Sequence, residues 1–224
     1  MDSPLVTAVA RVPIVVRFRD ARGRPVSLSG RTLSRASTDL QDLLRLAYQA
    51  VRGDVPTETV TVSFLEEDAG RLQLEYLVVD RTPPSRWRRG RDRRRAEGSR
   101  AALMQATIVV TAAVEAVGAL AAATSARWVD SDSPDFADVV LDGARAVRVP
   151  GTVRAWTEDG TTLDLLRGTM SMFADDDVEQ LVIGKDPETP GHYQEAVVAR
   201  SPALLRFLAG GPLASLVSSD PEPA

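Results

Sequence analysis

The feature that most constrains this chain is a predominantly apolar run of 26 residues, Ala101 to Ala126. A run of that length can cross a bilayer as a helix. Alanine dominates it, however, and Glu115 lies near its centre, where a carboxylate costs roughly 2.5–3.5 kcal/mol on insertion scales. A helix that is apolar over most of its circumference is normally buried inside protein. We therefore expect residues 101–127 to form a buried central helix, with a single membrane span over 101–126 as the alternative.

One narrow stripe of this predicted helix carries small and polar side chains at helical spacing. We expect the stripe to pack on another helix, supplied by a protein partner or by a second copy of the chain. If Glu115 is buried there, its carboxylate needs a hydrogen-bond partner, which Thr111 could supply from one turn back. The predicted helix-pairing residues are Thr107, Thr111, Glu115, Gly118 and Ala122.

A strongly basic segment, Arg81 to Arg100, precedes the apolar run. It holds nine arginines against two acids, whereas the whole chain has a net charge of −4. Its prolines and glycines interrupt any regular pattern, which predicts a linker. Arginine forks match phosphate groups, and Trp87 suits stacking on a base or lying at a lipid interface. The predicted partner is therefore anionic, either nucleic acid or anionic lipid, and the predicted contacts are Arg86, Trp87, Arg88, Arg89, Arg91, Arg93, Arg94 and Arg95.

Residues 1–80 show the pattern of a small α+β unit. Apolar and polar residues alternate over 12–20, 59–64 and 71–78, which predicts strands with one wet face. Between the first two strands, Thr38 and Gln41 have the spacing of a capping box, and Gly53 suits the end of the helix that follows. The unit therefore has a predicted hairpin–helix–hairpin outline.

The C-terminal half is expected to repeat that outline. Residues 128–149 form an acidic connector, 150–210 a β-rich unit and 211–224 a flexible tail. Strands are predicted at 152–157, 161–165, 178–183 and 192–199, and Ser201 opens a last helix. Residues 166–173 fit a helix or a strand equally well. The predicted fold class is α+β: two small antiparallel-sheet units joined by the basic linker and the apolar helix.

Candidates for catalysis are few. The chain has no cysteine and one histidine, His192, so a zinc site or a nucleophilic triad has little to draw on. Acidic residues cluster at 66–68 and again at 175–177 with Glu179, but they lack the spacing of a calcium loop. No glycine-rich phosphate loop is present. We expect no metal and no cofactor.

These patterns predict a non-enzymatic interaction or assembly protein. Arginine outnumbers lysine 26 to 1, which suggests a bacterial source with a GC-rich genome. The N-terminus has Asp2 and an early Pro13 rather than a basic, apolar leader, so a cytoplasmic location is expected. The alternatives are a membrane-anchored protein with the basic segment on the cytoplasmic side, and an enzyme that uses acidic turns with Mg²⁺.

Overall fold

A computed structural model describes residues 7–53, 58–68, 71–80, 89–143, 145–184 and 195–213. Helices and strands account for most of the described residues, and the strands form two antiparallel sheets, so the predicted α+β class is confirmed. The elements are β1 (Thr7–Arg19), α1 (Gly30–Arg52), β2 (Glu58–Asp68), β3 (Arg71–Asp80), α2 (Arg89–Ala122), β4 (Ala126–Asp130), β5 (Phe136–Leu141), β6 (Arg145–Pro150), α3 (Gly151–Glu158), α4 (Gly160–Thr169), a 3₁₀ helix (Ser171–Ala174), β7 (Gln180–Gly184), β8 (Ala196–Ala199) and α5 (Pro202–Leu208).

The larger sheet has the strand order β2-β3-β1-β7-β8. Strand β1 pairs with β3 on one side and with β7 on the other, both antiparallel. Its alternation places Ile14, Val16 and Phe18 in the core, and Val15 is also fully buried although it points to the opposite face. Strands from the predicted units 1–80 and 150–210 thus lie side by side in one sheet.

Helix α1 starts earlier than the capping box predicted. Ser29 is the N-cap, and its hydroxyl accepts a hydrogen bond from the amide of Thr32. Thr38 lies inside the helix, where its hydroxyl donates to the carbonyl of Ser34. The prediction of the start was wrong because Leu33 and Ala36 already extend the buried stripe N-terminally. The predicted end is confirmed, since the amide of Gly53 donates to Gln49 and Gly53 has a φ of 75°.

The strands predicted at 152–157 and 161–165 are wrong, because these residues form α3 and α4. Val153, Trp156 and Thr157 are buried at helical spacing, and Asp159 caps α4 by accepting from the amide of Thr162. Residues 166–173 continue as helix, first in α4 and then in the 3₁₀ helix. The hairpin–helix–hairpin outline therefore does not describe the C-terminal half.

The segment 128–149 was predicted as an irregular acidic connector, but it contributes to a second sheet, with strand order β4-β5-β6. Ala137, Val139 and Leu141 of β5 alternate into the core. Its acids occupy the turns and the outer faces of the strands, where charge is compatible with a half-buried sheet.

The central helix α2 lies between the two sheets. It contacts β1, β3 and β8 of the larger sheet, α1 and α5 beside it, and α3 and β6 of the smaller layer. Of the described residues, one helical stretch, Arg93–Ala122, is long and apolar enough to cross a membrane, but 61% of its most apolar window is buried inside the protein. The helix is apolar around its circumference because it has protein on more than one side.

Helix α2 also extends into the basic segment. Residues 81–88 lie outside the described part of the chain, but 89–100 form the first three turns of α2. The linker prediction is thus wrong for 89–100. Arginine, alanine and glutamate are good helix formers, so the interior glycines are tolerated. One of them, Gly98, lies beside the guanidinium of Arg52, 3.9 Å from where a Cβ would be.

Candidate anion-binding site at the start of the central helix

The basic start of α2 presents two faces with different surroundings. Arg95 and Ser99 point inward, in line with the buried residues that follow, whereas Arg93, Arg94 and Arg100 are exposed. Between residues 89 and 100 there are six arginines and two acids, which gives this part of the helix a net charge of +4. The described outer face therefore carries three exposed guanidinium groups on one helix.

The inner face is fixed by a buried carboxylate at the first residue of β2. The side chain of Glu58 is 0% exposed. Its Oε1 accepts from Arg95 Nε at 3.2 Å and from the Ser99 hydroxyl at 3.0 Å. Its Oε2 accepts from the Tyr48 hydroxyl and lies 3.5 Å from Arg52 Nε. These five residues, which we call the Glu58 cluster, join α1, β2 and α2.

The electrostatics of the Glu58 cluster favour the ionised carboxylate. Burial acts to raise the pKa of Glu58, but hydrogen bonds from Tyr48, Arg95 and Ser99 and the charge of Arg52 outweigh it, so the pKa lies below its ordinary value. Burial and the neighbouring carboxylate raise the pKa of Tyr48 to about 12, so the phenol stays a hydrogen-bond donor. With two guanidiniums around one carboxylate, the cluster carries one net positive charge.

The predicted anion-binding residues are distributed over several environments. Arg86, Trp87 and Arg88 lie outside the described residues, and Arg89 and Arg91 are in α2 without described side chains. Arg93 is exposed and donates to Glu97 at 3.1 Å, and Arg94 is exposed. Arg95 is turned inward to Glu58, so its first role is to hold the helix.

Sequence reasoning missed Tyr48, Arg52, Glu58 and Ser99. Tyr48 and Arg52 lie one turn apart at the end of α1, and Ser99 lies one turn after Arg95, so each pair shares a helical face. That spacing was visible in the sequence. Nothing local indicated that Glu58, at the start of an alternating strand, would be the residue on which both pairs converge.

The predicted helix-pairing stripe is not uniform. Thr107 and Thr111 are buried, and their hydroxyls donate to the carbonyls of Leu103 and of Thr107 in the same helix. Glu115 is exposed, so its expected hydrogen bond with Thr111 is not needed and is not formed. Each four-residue step rotates the side chain by about 40° around the helix, which carries position 115 out of the interior.

The other two stripe residues also differ from each other. Gly118 packs on β8 of the same chain, where an added Cβ would lie 2.9 Å from Val198 Cγ1. Ala122 is exposed near the end of α2. Within the described residues, α2 packs on α1, but pairing with a helix of another molecule stays a prediction.

The remaining candidates for chemistry give no constellation. His192 lies outside the described residues. In the acidic turn near 175, Arg200 donates to Asp176 at 2.8 Å and to the carbonyl of Asp175. The described part of the chain contains no group of three metal-ligating side chains that could hold an ion.

Comparison of the chain with protein-family models, with curated proteins and with solved structures finds no match.

Proposed function

We propose that this protein is a non-enzymatic interaction protein that binds the phosphate backbone of nucleic acid through the exposed arginines at the start of α2. The observation that carries the proposal is the anchoring of this helical start by the Glu58 cluster. Because Arg95 and Ser99 are held by a buried carboxylate, the helix backbone that carries the outward arginines does not have to be ordered when a ligand binds. Preorganisation of this kind lowers the entropic cost of association.

The outer face favours a nucleic acid over a lipid surface. Helices that bind in a membrane interface place apolar residues beside their cations, and those residues insert among the acyl chains. The exposed positions of the described helical start are instead charged: Arg93, Arg94, Glu97 and Arg100. Arginine offers a planar fork for phosphate oxygens. None of these residues forms part of a base-reading motif, so we expect binding without sequence preference.

The test is a titration of the full-length protein with a fluorescently labelled DNA duplex at several salt concentrations. Neutralising phosphates releases counterions, so the log–log salt slope falls by roughly 0.9 for each contact that is lost. We expect Arg93→Gln, Arg94→Gln and Arg100→Gln together to weaken binding and to flatten the slope. Arg95 is left unchanged because its replacement would also disturb Glu58.

The matched control removes the same number of charges from exposed arginines elsewhere. The control substitutions to Gln are at Arg22, Arg31 and Arg206. If both triple variants lose the same affinity, net charge rather than this helix drives the binding. Co-sedimentation with phosphatidylserine vesicles distinguishes the lipid alternative. Binding to vesicles but not to the duplex would overturn the proposal.

A further inference from the structure

Among the described residues, the smaller sheet ends at β4 with no further strand beside it, and the hydrogen-bond register shows which backbone groups line this edge. The amide of Asp142 donates to the carbonyl of Ser125, so these two residues form a hydrogen-bonded pair just before β4. Such pairs alternate along an antiparallel ladder, so Arg127 and Val129 direct their backbone groups at β5. The backbone groups that face away from β5 are those of Ala126, Trp128 and Asp130.

A cleft of about 430 Å³ runs along this edge, and its lining residues define what we call the β4 cleft: Arg127, Trp128, Val129, Asp130 and Arg154. Val129 is 37% exposed and adds an apolar side chain to this cleft. Trp128 is only 7% exposed, yet its indole N–H has no hydrogen-bond partner among the described residues.

Of the two arginines that line the β4 cleft, Arg154 forms ion pairs and Arg127 does not, within the described residues. Arg154 of α3 donates to Asp130 at 3.1 Å and lies near Glu158. Arg127 is exposed and has no ion pair within the described part of the chain. Its side chain shares a sheet face with Val129, two residues on.

We propose that the edge of β4 binds an extended acidic peptide segment of a partner protein as an added strand. An exposed strand edge is a template for such pairing, and main-chain hydrogen bonds supply much of the affinity. In the added strand, a carboxylate lies beside Arg127 and an apolar side chain lies against Val129, two residues apart. The recognised pattern is therefore one acidic and one apolar residue at i and i+2.

A second copy of this chain fits the same edge less well. Two copies related by a two-fold axis would pair their β4 edges antiparallel. The even-numbered residues, whose backbone groups point outward, then pair with even-numbered residues of the other copy, and odd-numbered residues lie opposite odd-numbered ones. Arg127 then lies opposite Arg127, Val129 or Ser131 of the other copy, depending on the register. No register provides an acid on that face, whereas an acidic peptide does.

The test uses a synthetic peptide with the repeat threonine–glutamate–threonine–valine, which places glutamate and valine two residues apart on one face of an extended strand, and the full-length protein observed by NMR amide exchange. We expect the amides of Trp128 and Asp130 to become protected when the peptide is added, because they face outward. The amides of Arg127 and Val129, already paired with β5, should change little. The same repeat with lysine in place of glutamate is the charge control, and the glutamate peptide with proline in place of its central valine is the backbone control.

Two variants test the side-chain part of the proposal. Arg127→Gln should weaken the glutamate peptide about two- to fivefold, as expected for one cross-strand ion pair. Arg206→Gln, an exposed arginine on α5, should leave it unchanged. Absence of protection at Trp128 and Asp130, or equal binding of the lysine peptide, overturns the proposal. Protection in the free protein that disappears on dilution assigns the edge to a second copy and overturns it too.

Discussion

Replacing Glu58 by glutamine tests the Glu58 cluster most directly, because the substitution keeps the shape of the side chain and removes its charge. Removing one partner of a buried ion pair typically costs about 3–5 kcal/mol. Arg52 and Arg95 are 29% and 30% exposed, so water solvates them partly, and the glutamine oxygen still accepts from Ser99. We expect the free energy of unfolding to fall by about 2 kcal/mol, which lowers the melting temperature by roughly 4–8 °C for a chain of this size.

The assay is urea unfolding followed by circular dichroism, with Glu97→Gln as the matched control. Glu97 pairs with Arg93 on the same helix at 3.1 Å but is 64% exposed, so its loss should cost less than about 0.5 kcal/mol. Limited trypsin digestion gives a second readout, because Glu58→Gln should accelerate cleavage after Arg93 and Arg94. Equal stability of the two variants, or unchanged cleavage, would refute the view that Glu58 holds the start of α2.

Three further outcomes follow from the geometry. The folded-state pKa of Glu58 lies below its ordinary value of 4.5, so the stability that its carboxylate contributes is complete above that pH and is lost as the pH falls through the folded-state pKa. Urea midpoints measured between neutral and acidic pH should show this loss, and the Glu58→Gln variant should lack it. Gly168→Ala places a Cβ in steric overlap with the carboxylate of Asp39, so the free energy of unfolding should fall by about 2 kcal/mol. Asp39→Ala in the same chain should restore most of that loss. In Gly118→Ala the new Cβ lies 2.9 Å from Val198, so the free energy of unfolding should fall by about 1 kcal/mol in a thermal melt, because the better helix propensity of alanine offsets part of the overlap. A stabilised variant would contradict the close packing of α2 on β8.

The elements that could be predicted are those in which one face of a regular pattern meets the core. In β1, Ile14, Val16 and Phe18 alternate for long enough to exclude a helix. The end of α1 could also be predicted, because glycine is favoured just after the last turn of a helix, and the backbone conformation of Gly53 is one that favours glycine. The length and composition of the apolar run indicated a helix, and the structure places it between two layers of protein.

The segment that became α3 and α4 could not be assigned, because its pattern fits two periods. Val153 and Thr157 are buried in a helix, but they also fit an alternating strand. Helix α3 has only eight residues, which is too short for one period to prevail over the other. The pairing of β1 with β7 left no local signal either, since the two strands are far apart in the sequence and the choice of partner depends on the whole core.

For the candidate site, too, the sequence predicted what neighbouring residues determine and missed the contact with a distant residue. The concentration of arginine was evident, but a charge run is usually a solvated segment, and its prolines and glycines favoured a linker. The contact that anchors residues 89–100 comes from outside that run: Glu58 lies 37 residues before Arg95 in sequence and 3.2 Å from it in space. The carboxylate neutralises one guanidinium and satisfies Ser99, which lowers the repulsion that so many arginines impose on one helix. Residues 89–100 are therefore held in place by an acid of the N-terminal unit, and the arginines that point away from this acid are the ones through which we propose that the protein binds an anion.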